Sequence, residues 1–207
     1  MRIAVINEIS AADKNGHILM ALDGLGHQVI NAGMTGTGEG PGLSYINTGF
    51  MAAALLDARA VDYVIGGCGT GQGFLISVMQ YPGVTCGHIL NPLDAWLFTQ
   101  INGGNCVSLS LNQGYGWAGD INLKFIFEKL FSVPGGQGYP EHRREAQKAS
   151  RLLLHDINAV THQALPAIIE RLPADVVKPA IAFPGFIETL EKYGDRSTGI
   201  LAALKKR

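Results

Sequence analysis

What this chain lacks narrows it first. No apolar run in the sequence is long enough to span a bilayer, which takes about 20 residues. Basic residues number 16 against 17 acidic ones, so there is no basic excess from which to build a nucleic-acid surface. The cysteines are three, Cys68, Cys86 and Cys106, an odd number at spacings that match no zinc motif. Cys86 and Cys106 sit in apolar runs and read as inert core thiols. The opening run Met1–Ile6 is too short for the core of a signal peptide, and acids follow at Glu8 and Asp13. No internal repeat or low-complexity tail stands out. The expectation is a cytoplasmic protein of one domain with an appendage, with neither membrane nor nucleic acid as partner, and with no metal or cofactor.

What is present is glycine, 27 residues of it, and it is concentrated. Gly66-Gly67-Cys68-Gly69-Thr70-Gly71-Gln72-Gly73 follows the apolar run from Val61 to Ile65 and precedes another from Phe74 to Met79. The first run reads as a buried strand and the second as the start of a helix. Glycines let backbone amides approach a ligand closely, and a helix N-terminus favours negative charge at the same spot. Cys68 could act there as nucleophile or base, Thr70 can donate and accept a proton, and the amides of Gly69 to Gly73 could hold an oxyanion. This combination suits proton removal next to a carbonyl.

Around that turn, short apolar runs alternate with helical patterns. Arg2–Ile6, Gln28–Ala32, Val61–Ile65, Val84–Ile89 and Asn105–Leu111 read as strands. Ala12–Leu25, Tyr45–Ala58, the stretch to Gln80, the segment opened by Asn91-Pro92, and Gly119–Phe131 read as helices. The economical fold is a three-layer α/β/α domain on a five-stranded parallel Rossmann-like sheet. After Phe131 a loop leads to a charged helix from Glu141 to about Arg171. The proline-bearing stretch 173–184 follows without a helix, and short helices near 185–193 and 197–206 end the chain. Residues 1–148 are expected to form the α/β domain and 149–207 a helical C-terminal extension that packs on the core or on a partner subunit. Glu8, after the first strand, favours a substrate-hydroxyl role; His88 reads as a satisfied core residue; Lys148 and Arg151 read as an exposed helix face.

The glycine turn, with Tyr81-Pro82-Gly83-Val84 after it, resembles the signature of the ribose-5-phosphate isomerase B / galactose-6-phosphate isomerase family. Gln100-Ile101-Asn102-Gly103-Gly104-Asn105 is similar to a later block of that family, and Gly135-Gly136 with Arg143-Arg144 to its phosphate-binding block. The resemblance implies aldose–ketose isomerisation of a sugar phosphate without a metal, in a homodimer or higher homo-oligomer with active sites between subunits. It implies Cys68 as the base between C1 and C2, Thr70 as the relay between the oxygens, and Gly69, Gly71 and Gly73 around the enediolate. Glu8, Asn102 and Arg143 would bind substrate. Two positions depart from the pattern. Glu8-Ile9 stands for the family's Asp-His pair, and Ile101 for its ring-opening histidine. Isoleucine transfers no proton, so either another group opens the ring or the substrate is not a cyclic ribose phosphate. A non-catalytic sugar-phosphate-binding or regulatory protein on the same scaffold is the alternative. A pyrophosphate site is disfavoured, because the turn follows the third strand and has no Gly-Lys-Ser/Thr ending.

Overall fold

The computed structural model describes every residue except Glu39. Five strands, β1 (Arg2–Asn7), β2 (Gln28–Asn31), β3 (Tyr63–Cys68), β4 (Cys86–Ile89) and β5 (Cys106–Ser110), form one all-parallel sheet in the order β2-β1-β3-β5-β4. The chain leaves β1 for β2 on one side, then crosses to β3 on the other. The order therefore reverses between β1 and β3, where such sheets bind ligands beyond the strand C-termini. β1 and β3 are buried along almost their whole length, as their unbroken apolar runs require.

Alternate side chains feed two cores. Ile3, Val5, Ile65, Val107 and Leu109 face α1 (Asn15–Leu22), α4 (Pro92–Leu97) and α5 (Gly119–Leu130), meeting Ile18, Leu22, Ile126 and Phe127. Asn91 caps α4 as its sequence suggests, its side chain accepting from the amides of Leu93 and Asp94. Ala4, Ile6, Val64 and Cys106 face α2 (Tyr45–Asp57) and α3 (Gln72–Val78). Beyond them lie α7 (Leu165–Ile169), α8 (Ala174–Ala182), α9 (Phe186–Tyr193) and α10 (Ile200–Leu204), whose residues Ile169, Val177 and Phe186 join the same core. This explains why α2 is apolar all round. Every residue from Asn47 to Leu55 is buried, with the sheet below and α8 and α9 above.

Three readings of the chain are corrected. β3 runs through to Cys68, so the cysteine is the last residue of a strand and not part of the turn. The charged helix breaks early: α6 (Arg144–Thr161) passes unbroken through residue 148 and ends at Thr161, before α7. The stretch with three prolines contains a helix after all. Pro179 inside α8 has no N–H for the carbonyl four residues back. That carbonyl, of Asp175, instead accepts from Asn47 Nδ2 at 2.9 Å. No helix among the described residues is long and apolar enough to cross a membrane.

Candidate active site

The C-terminal ends of β1 and β3 meet at the switch point. Cys68 ends β3 with 6% of its surface exposed, and Glu8, directly after β1, is 3% exposed. The cysteine is thus far more enclosed than its place in a glycine turn suggests, because α3 and the α2 core close over it. Its Sγ stands 4.0 Å from Thr70 Oγ1. Glu8 reaches the same turn through Ser10, whose hydroxyl donates to Glu8 Oε1 and accepts from the Gly69 amide at 3.1 Å. Asn112 closes the other side, donating from Nδ2 to the Ser10 carbonyl at 2.7 Å. Beside Glu8, the carboxamide of Asn7 is fully buried with neither polar atom paired among the described residues.

The backbone of the turn is held by its carbonyls. That of Cys68 accepts from Gly71 N and Leu111 N, and that of Gly69 from Asn112 N and Gln113 N. Gly71, at φ 75°, caps α3 in the left-handed region; a Cβ there would also sit 2.5 Å from His88 Nε2. Of the three glycine amides expected around an anion, Gly69's goes to Ser10 and Gly71's to Cys68. Among the described residues the amides of Thr70, Gly73 and Phe74 donate to nothing in the chain, as the first turn of a helix requires of some donors. A cavity of about 280 Å³ adjoins the turn on the Thr70 side, lined by His88, Ser110, Gln113, Tyr115 and Asn122 over a floor of Leu109, Leu123 and Ile126. Among the described residues no lysine or arginine lines it.

The remaining expected residues lie elsewhere. Asn102 ends a π-type turn over Phe98–Asn102, just before the start of β5. Gly103 passes so close to the 135–136 loop that a Cβ would stand 2.9 Å from Gly136 N. Gly136 N and Gly138 N donate to the carbonyls of Thr99 and Gln100. Arg151 is not an idle surface residue: its guanidinium donates to the carbonyls of Ile101 and Gly136 at 2.8 and 2.6 Å. The segment carrying Arg143 is therefore tied to the strand N-termini, opposite Cys68 by the length of β5, about 13 Å at 3.3 Å per residue. One chain unites Cys68, Thr70, Glu8 and the glycines; it does not unite them with Asn102 and Arg143. The guanidinium of Arg143 has no hydrogen bond or ion pair among the described residues, whereas Arg144 lies 3.9 Å from Glu141.

Sequence reasoning missed Ser10, Ser108 and the role of His88. A serine repeated inside the apolar run Cys-Val-Ser-Leu-Ser was the available signal. His88 is satisfied, as expected of a strand histidine, but its partner is the Thr70 carbonyl at 3.1 Å. Among the described residues no group of His, Cys, Asp and Glu side chains is placed to hold a metal ion.

The fold and the site place this chain among parallel α/β proteins that gather a thiol, a hydroxyl and unpaired amides at the switch point of the sheet. The comparisons make the class specific. The model of the ribose/galactose isomerase family matches residues 3–134. A ribose-5-phosphate isomerase from Vibrio parahaemolyticus is 40% identical over 100% of this chain and 98% of its own, with a TM-score of 0.95. A 4-deoxy-L-threo-5-hexosulose-uronate ketol-isomerase, solved with tartrate, is 36% identical over 100% and 98%, with a TM-score of 0.94. A ribose 5-phosphate isomerase from Thermotoga maritima shares the fold at 23% identity, covering 70% of this chain and 96% of its own, with a TM-score of 0.58. Comparison with curated proteins finds no match. The chain belongs to the ribose/galactose isomerase family and is a sugar isomerase of that class, an intramolecular oxidoreductase.

Proposed function

We propose that the chain interconverts the aldose and ketose forms of a pentose or hexose phosphate through an enediolate, with Cys68 as base. The observation that carries this is the approach of Cys68 Sγ to Thr70 Oγ1 at 4.0 Å, beside unpaired amides at the point where strand order reverses. As a thiolate, Cys68 takes the proton from C2 of the aldose and returns it to C1. Thr70 gives its hydroxyl proton to O1 and takes the proton of O2, so nothing is gained or lost overall. Gly69, Gly71 and Gly73 surround the enediolate, and the amides of Thr70 and Gly73 offset its charge. Glu8 accepts from a substrate hydroxyl.

In this reading a second copy completes the site. Asn102 and Arg143 sit at the far sheet edge, so they meet a cysteine across a subunit boundary, where Arg143 binds the phosphate. α6 offers the surface. It holds its own chain by polar groups, Gln147 to Tyr139, Arg151 to Ile101 and Asn158 to Gly83. It turns Leu153, Ile157 and Val160 to water, at the spacing of a pairing seam.

A second reading takes a uronate in place of a phosphate sugar. Three observations favour it: a uronate ketol-isomerase matches this chain end to end, the cavity beside Thr70 has no cationic lining, and Ile101 stands where a ring-opening group is expected. One experiment separates the readings. Pentose phosphates, hexose phosphates and 4-deoxy-L-threo-5-hexosulose uronate are each assayed for conversion and for exchange of carbon-bound hydrogen with deuterated water. Turnover of a phosphate supports the first reading and turnover of the uronate alone the second. Exchange with none of them overturns both.

A further inference from the structure

Two side chains outside the expected site hold consecutive carbonyls of the turn. His88 on β4 and Ser108 on β5 are register partners, side by side on neighbouring strands. Ser108 is also in register with Gly66 on β3, so the pair lies in the row that leads to the turn. His88 Nε2 is 3.1 Å from the Thr70 carbonyl, which makes it the protonated nitrogen. Ser108, fully buried, donates to the Gly71 carbonyl at 2.5 Å.

A peptide unit is rigid, so fixing its carbonyl fixes the N–H on its other side. The unit between Thr70 and Gly71, held by His88, aims Gly71 N–H at the Cys68 carbonyl. The unit between Gly71 and Gln72, held by Ser108, aims Gln72 N–H at Thr70 Oγ1, 3.3 Å away. That last contact occupies a lone pair of the threonine oxygen. Its own proton is left to turn towards Cys68 or a substrate oxygen. Gly71 is needed because any Cβ would collide with His88 Nε2.

We infer that His88 and Ser108 form a carbonyl clamp that positions the Thr70 hydroxyl for proton relay. Both are positioning residues and neither touches the reacting atoms. The inference rests on the isomerase reading above and adds to it a division of labour. Removing the C2 proton needs Cys68 alone, whereas completing the isomerisation needs Thr70 correctly aimed. A loosened clamp therefore lets the enediolate form and revert.

The test compares two rates in deuterated water with the turned-over substrate: exchange of the C2 hydrogen and net isomerisation. In His88→Ala, isomerisation falls about tenfold to a hundredfold, the scale of a misplaced catalytic group, while exchange changes less than about threefold and KM holds. His88→Gln, which keeps a side-chain donor, recovers most of the loss. Ser108→Ala shows the same split and still folds, because the Gly71 carbonyl keeps the Leu75 amide at 3.2 Å. Thr70→Val gives the reference ratio. Parallel loss of both rates, or no change in either, overturns the clamp while leaving the isomerase intact. A wild-type protein that exchanges no hydrogen with any candidate sugar removes the isomerase reading and the clamp with it.

Discussion

The two edges of this sheet are built from similar materials and do different work. At the strand C-termini, glycines bring Cys68, Thr70 and Glu8 together, and the backbone is anchored so that amides remain unpaired. At the N-termini, Gly103 and Gly136 also pack backbone on backbone, but there the amides are spent on Thr99 and Gln100 and the cation Arg151 is spent on two carbonyls. A glycine loop does not make a site. What separates the edges is whether donors and charges are left over. At the second edge the expected binding groups Asn102 and Arg143 have no side-chain partner among the described residues.

The sharpest way to break this contrast is at the first edge. Cys68→Ala is expected to lower kcat by ~10³-fold or more while ligand binding survives, since only the proton-transfer group is removed; loss of binding measured by calorimetry would make the cysteine structural. Arg143→Ala acts through the other edge and is expected to raise KM by about tenfold to a hundredfold, the worth of a charge-assisted contact. Mixing the two variants, assayed at substrate well below the raised KM where both turn over poorly, tests whether the edges cooperate across copies. In the dimer proposed above, half the pairs then carry one intact site, so about a quarter of the sites regain activity. Failure to regain any would confine each site to one chain. Replacing Leu153 and Ile157 with glutamate should convert the proposed dimer to monomers in light scattering, with the turnover lost alongside.

Smaller effects define the second edge as structure. Arg151→Ala strips two carbonyls of their partner and should cost about 1–3 kcal/mol of stability by chemical denaturation. His27, next to β2, is smaller still. Both ring nitrogens are sealed and unpaired, its ring lies edge-on to Phe131 at 4.7 Å, and burial holds its pKa below the usual value, with the chain N-terminus adding to the effect. The unfolded chain binds this proton first, so stability is full above about pH 6.5 and declines as pH falls through the lower folded value. His27→Leu should flatten that acid slope in melting curves between pH 7 and 5, a range set about the same reference value.

Much of this was legible in the residues. Continuous apolar runs gave the strands because a parallel sheet buries both faces, and the density of glycine around one thiol pointed to the edge where strand order reverses. What stayed hidden depends on partners far along the chain. Pro179 looks like a helix breaker until Asn47, more than a hundred residues earlier, takes up the carbonyl it strands. Arg151 looks like solvated charge until the 101 and 136 carbonyls converge on it. The enclosure of Cys68 came from α2 and α3 together and could not be seen from a turn alone. His88 and Ser108 show their use only once strand order puts them side by side.

The two-sided burial of α2 has a practical consequence for anyone trimming this chain to the size of its shorter relatives. Phe50 touches Phe186 with ring centres 6.4 Å apart, and Met51 and Leu55 share that core with Val177 and Ile200. Cutting after residue 148 would unroof a slab of hydrocarbon on the back of the catalytic layer. Such a fragment should come out of expression as inclusion bodies, and co-expressing residues 149–207 as a separate peptide should bring part of it back into the soluble fraction.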